Sequence, residues 1–215
     1  LSDFRPSWMD TFEQKLNKNS DDAQGLWALV DALEVSDAEL YDALDAHVDL
    51  DHFLSFWVME VLTGHRDGYS GNTNNFYLYE DPLNGGRLTF IPWGTDGALH
   101  PIASEAERQM GQPVSVMAVG TLAHRLYQAP ETRGLYVQRL QSLLDAVWDE
   151  DDLRTEIIAR GQWLSEHLTP EERVAMNEDQ AALIATVDTK REAIMAELEA
   201  GGAQWPHPLR GWLCM

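Results

Sequence analysis

The stretch Gly64–Glu80, GHRDGYSGNTNNFYLYE, decides how this chain is read. Its opening residues set His65, Arg66, Asp67, Tyr69 and Ser70 beside Asn72, Asn74 and Asn75, with Gly64, Gly68 and Gly71 between them. Its end, Phe76–Glu80, turns aromatic and apolar. A glycine-rich polar run of this kind is either a surface turn or a loop held rigid to present side chains. The flanking segments decide between the two.

Upstream, apolar residues recur at helical steps from Asp21 to Leu62, which predicts three helices. The second opens on SDAE, with Ser36 as N-cap and Glu39 completing a capping box. The third, from about Asp51 to Thr63, is apolar on nearly every side and is therefore expected to be buried, with Gly64 ending it in a left-handed conformation. Downstream, FYLYE and RLTFI are strand-forming runs joined by DPLNGG, a hairpin, and Pro92 stops the ladder ahead of the WGTDG loop. Residues 101 to 115 have no period and read as loop. From about Val116 to Leu198 four helical segments follow, with breaks at Pro130, Pro170 and Gly201.

The chain has 215 residues and a formal net charge of -21. The length suits one globular domain, and the charge repels an exposed phosphate backbone unless a local patch or bound cations reverse the field, which disfavours nucleic acid and anionic membrane as partners. Nothing visible approaches the roughly 20 apolar residues of a membrane span. Cys214 has no partner for an internal disulfide. The beginning at Leu1 and the ending GWLCM read as those of a piece of a longer protein.

His65-Arg66-Asp67 followed by Asn72 fits H-R-D-x-x-x-x-N, the catalytic-loop pattern of protein kinases. At average residue usage this spacing arises by chance with a probability on the order of one in a thousand. The order of buried helix, loop, hairpin and Asp96 is also the kinase order. The chemistry asks for these residue types: Asp67 to take the proton of an acceptor hydroxyl, Asn72 and Asp96 to offer hard oxygen ligands to Mg²⁺ beside the phosphates of ATP.

GHRDGYSGNTNNFYLYE and LTFIPWGTD together closely resemble the paired signature of the CotH kinase family, the atypical kinases named after a spore-coat protein. YDALDAHVDLDHFLSFWVMEVLTGH resembles its preceding helices and TKREAIMAEL its closing helix, so the resemblance runs from about Ala38 to Leu198. It implies an α+β, mainly helical, protein-kinase-like C-terminal lobe with a small β-hairpin carrying the active-site loops. It further implies phosphorylation of protein Ser or Thr by Mg²⁺ and ATP, with coat or surface proteins as substrates and an extracellular or cell-surface location. Carried over residue by residue, Asp67 is catalytic and Asp96 binds metal. For the amide ligand, kinase spacing selects Asn72, while the family's Asn-Asn pair points to Asn75 or Asn74.

Two departures stand out. Where many relatives carry Trp-Asp-x-Asp, this chain has Trp93-Gly94-Thr95-Asp96, one carboxylate fewer. The lysines, Lys15, Lys18 and Lys190, lie outside any apolar strand of the kind that anchors ATP. The expectation is a C-terminal lobe whose nucleotide-clamping lobe lies outside residues 1–215.

Other residues have plainer readings. His65 and Arg66 brace the loop; Tyr69, Tyr77 and Tyr79 pack; Trp93 anchors its turn by burial. His100, His124 and His167 are scattered and form no zinc pattern, and Ser70 lacks a nucleophile elbow. A catalytically idle coat or adhesion module remains the alternative, motivated by Gly94, and small-molecule phosphotransfer on the same fold is a third.

Overall fold

The computed structural model describes residues 1–16, 23–99 and 113–205. At its centre lies α3 (Leu50–Thr63), preceded by α1 (Gln24–Ala32) and α2 (Leu40–Asp45). Asp49 caps α3 by accepting from the His52 N–H, and Gly64 ends it at φ +64°, as expected of the residue that must turn left-handed. Phe53, Trp57, Val58 and Leu62 are completely or almost completely buried, so the helix is core on nearly all sides. The predicted capping box is not there. Ser36 Oγ instead bonds the Glu39 carboxylate beside a tight turn, and α2 begins only at Leu40. Arg125 holds that turn's approach through Leu33 O, Val35 O and Asp37, a constraint from distant sequence that overrides the local signal.

β1 (Phe76–Asp81) and β2 (Arg87–Pro92) form the predicted antiparallel hairpin, in register from Phe76 opposite Pro92 to Asp81 opposite Arg87. Its inner face is nailed to α3: the Phe90 ring lies 4.7 Å from Phe53 and 5.3 Å from Phe56, worth about 0.5–1.5 kcal/mol per pair beyond area burial. Its outer face leaves Tyr77, Tyr79 and Ile91 exposed. The two tyrosines are therefore not core packing residues. At the open end the register sets Asn75 beside Trp93, whose N–H donates to the Asn75 carbonyl at 3.0 Å.

The C-terminal helices, numbered after the single turn α4 (Tyr69–Asn72), are α5 (Thr121–Gln128), α6 (Pro130–Val147), α7 (Glu150–Ser165) and α8 (Pro170–Glu199). Residues 116–120 lie outside any helix, and the helix begins only at Thr121. The expected breaks fall at Pro130 and Pro170, and each proline starts the helix that follows, at the first position where a missing N–H costs nothing. Thr169 and Glu172 form a capping box there. α6 packs on α3, with the Trp57 and Tyr136 rings 4.0 Å apart, and α7 and α8 form an antiparallel pair. No helix among the described residues is long and apolar enough to cross a membrane. Lys18, His100 and Cys214 lie outside the described residues, as does most of the 101–115 segment.

Candidate active site

The turn after α3 is built on a buried carboxylate that sequence reasoning missed. Glu60, 3% exposed, accepts the Tyr69 N–H at 2.8 Å and the Ser70 N–H at 2.7 Å. It thereby satisfies the first donors of α4 from outside, which is why a stretch read as loop contains a helical turn. The signal was a lone acid inside the apolar run Phe53–Leu62. The chain passes over Glu60 only because Gly68 has no side chain: a Cβ there would lie 2.1 Å from Glu60 Oε1 and 2.6 Å from the His65 ring. Ser70 is fully buried, so it offers no accessible nucleophile for a hydrolase.

α4 and the turn after it gather three amides on Asp67. Asn72 Nδ2 donates to Oδ1 at 2.7 Å, Asn75 Nδ2 donates to Oδ2 at 2.6 Å, and Asn74 Nδ2 lies 3.3 Å from both oxygens. Thr73 (φ +51°) and Asn75 (φ +47°) adopt left-handed backbone to make this possible, a conformation uncommon for residues other than glycine. Asp67 itself is half-buried.

Asp96 lies on the 3₁₀ turn Thr95–Gly97, with its residue exposed. His65 ties the two loops together. It is 2% exposed, its Nε2 donates to the Trp93 carbonyl at 3.2 Å, and the charges of Asp67 and Asp96 both act on its ring. Burial pushes the imidazole below its ordinary pKa, opposed by that carbonyl and by the two carboxylates. Bracing by His65 is thus what the structure shows. Trp93 differs from expectation: it is 59% exposed and rests edge-on against Tyr77, so the turn is anchored by main-chain bonds rather than by burial of the indole. Gly94, at φ +59°, lies against the Asn75 amide, where a Cβ would come within 2.8 Å of Cγ. Asn75 therefore fills the space that a side chain at position 94 would need.

The structure thus brings Asp67, Asn72 and Asn75 into one hydrogen-bonded group and sets Asp96 on the turn that follows Trp93, whose carbonyl His65 holds. The donor set is oxygen only. Among the described residues no three His, Cys, Asp or Glu side chains form a metal cluster. Such a site suits Mg²⁺, which takes one or two carboxylates and draws its other ligands from water and phosphate. Because each amide commits its Nδ2 to Asp67, its Oδ1 is the atom left for a metal.

A second buried ionisable group fixes the end of α3 that leads into this turn. Lys190 of α8, 2% exposed, donates to the Val61 carbonyl at 2.9 Å. Burial lowers its pKa from 10.5 to about 7, helped by Arg66, while burial raises that of Glu60 from 4.5 to about 7. The signs are opposite. Glu60 holds its proton more tightly folded than unfolded, so its contribution is complete below pH 4.5 and is lost as pH rises through about 7. Lys190 favours the neutral amine, so its contribution is complete above pH 10.5 and is lost as pH falls through about 7. Urea unfolding between pH 5 and 9 is expected to show these two limbs meeting near neutrality, each worth roughly 3 kcal/mol across its range. Glu60→Gln removes the acid limb and Lys190→Met the alkaline one; limbs unchanged in these variants contradict the assignment.

A family model described as CotH kinase protein matches residues 3–194. Invasin CotH7 of Rhizopus delemar is 21% identical over 183 residues, and Invasin CotH2 of the same fungus is 23% identical over 168. The matches cover 81% and 73% of this chain but 31% and 28% of the relatives, so the chain spans about a third of the length of the curated relatives it matches.

Proposed function

Because the chain belongs to the CotH kinase family, we propose that residues 1–215 form the C-terminal lobe of a protein-kinase-like domain that transfers the γ-phosphoryl group of ATP to protein Ser or Thr hydroxyls. The observation that carries this reading is the bridge made by His65, which joins the Asp67 loop to the Asp96 turn, with both carboxylates acting on one imidazole. Asp67 is the group that orients the acceptor hydroxyl and takes its proton, and the amides of Asn72, Asn74 and Asn75 hold its oxygens in place. Asp96, with Asn72 or Asn75, would hold Mg²⁺, which when bound neutralises phosphate charge that the chain's own charge of -21 would otherwise repel. An upstream nucleotide-clamping lobe would find Trp93 and the hairpin's outer face exposed, and the substrate in this reading is a coat or surface protein outside the cell, in keeping with relatives named invasins.

The intact protein is expected to label a protein acceptor from γ-labelled ATP in a magnesium-dependent way, and Asp96→Ala to abolish labelling. Undiminished labelling by Asp96→Ala removes that residue's role. A non-catalytic adhesion or assembly module is the second reading, favoured by Gly94, whose place offers no second carboxylate and is closed by Asn75. An intact protein that binds no nucleotide would support it.

A further inference from the structure

Asp3 is completely buried although it lies near the start of the described chain. Its carboxylate is fully used: Oδ1 accepts from Phe4 N–H and Thr121 N–H, both at 2.9 Å, and from the Tyr69 hydroxyl at 3.3 Å. Oδ2 accepts from Arg5 Nε at 2.8 Å and Thr121 Oγ1 at 2.6 Å. Burying a charge is costly unless it is paired and bonded in this way, and capping α5 alone would not require the contact with Tyr69.

Tyr69 is the first residue of α4, and it is held on every side. Its N–H is on Glu60, its hydroxyl also accepts the Leu122 N–H at 3.0 Å, and its ring sits so close to Gly120 that a Cβ there would fall 2.4 Å from Cζ. The neighbours of Asp3 act on the same turn. Ser2 N–H donates to the Thr73 carbonyl at 2.9 Å, and the Phe4 ring meets the Tyr69 ring edge-on at 6.0 Å. Ser2 thus contacts the left-handed turn at Thr73, while Asp3 and Phe4 contact Tyr69 at the start of the helical turn that leads into it.

We infer that Asp3 is a positioning residue for the amide cluster on Asp67: with Ser2 it clamps Tyr69 and Thr73, so the segment entering the domain at residues 2–4 sets the geometry of the turn. The catalytic consequence rests on the kinase reading above; the clamp does not. It acts through Tyr69 and touches no reacting atom.

The test is nuclear magnetic resonance of the intact protein labelled with ¹⁵N-asparagine, comparing Tyr69→Phe, Ser2→Pro and Asp3→Asn with the unmodified chain. Tyr69→Phe keeps the ring and removes only the hydroxyl, so it serves where Asp3→Asn fails to fold. The expected result is that the side-chain NH₂ signals of Asn72, Asn74 and Asn75 move in each folded variant while those of Asn84 and Asn177 stay in place. The main-chain amides of Asn72 and Asn74, which both donate to the Gly68 carbonyl, are followed by hydrogen exchange in the same sample and are expected to lose about tenfold in protection, the equivalent of one hydrogen bond. Asparagine signals that stay fixed in folded Tyr69→Phe, or that all move together, overturn the inference. The readout is the cluster itself and decides the matter whether or not the protein transfers phosphate.

Discussion

Asp67→Asn is expected to lower phosphotransfer by the intact protein by about 10²–10⁴-fold, the range supplied by a positioned general base. The substitution keeps the side chain's size and removes its basic oxygen. It also reverses one end of a hydrogen-bond array, because Asn72 and Asn75 each donate to a different oxygen of Asp67, at 2.7 and 2.6 Å. An amide can satisfy one of them; at the other, N–H faces N–H. A stability loss of about 1–3 kcal/mol therefore accompanies the kinetic loss. Single-turnover labelling measures the first and urea unfolding the second. A variant that unfolds more easily yet labels at the original rate would leave Asp67 a structural acceptor only.

Gly71→Ala is expected to be the most damaging alanine substitution among the described glycines. A Cβ at this position would lie 2.2 Å from the Arg66 carbonyl oxygen and 2.8 Å from the Arg66 Cα, and main chain has no rotamer by which to retreat. The turn must open. A cost of about 3 kcal/mol or more follows, seen as a Tm about 10 °C lower. Gly134→Ala provides the contrast: it is exposed within α6, with nothing within 4 Å of the added carbon. Alanine there is expected to add up to about 1 kcal/mol by helix propensity. Equal effects at both positions would show that the close approach of α4 to Arg66 is not what excludes a side chain.

These expectations separate what the sequence discloses from what only the fold supplies. α3 and the hairpin are legible because burial on all sides and alternation around a glycine turn are local patterns, and the register then places Asn75 beside Trp93 with no further information. Gly64 was readable for the same reason. Glu60 and Asp3 were not, since what makes them structural is a partner 9 or 66 residues away, Tyr69 in both cases. Ser36 misled, having the letters of a cap but a distant arginine on its loop, whereas Pro170, read as a break, falls between two helices and starts the second. Trp93 misled because large aromatics are usually covered, and this one lies on the exposed side of a two-stranded sheet.

Calorimetric titration of the intact protein with ATP, with and without magnesium, tests most directly whether residues 67 and 96 form one nucleotide-metal site. The account predicts binding that requires magnesium and disappears in Asp96→Ala, while that variant keeps the unfolding profile of the original chain. Binding of the same strength without magnesium, or unchanged in Asp96→Ala, would contradict it.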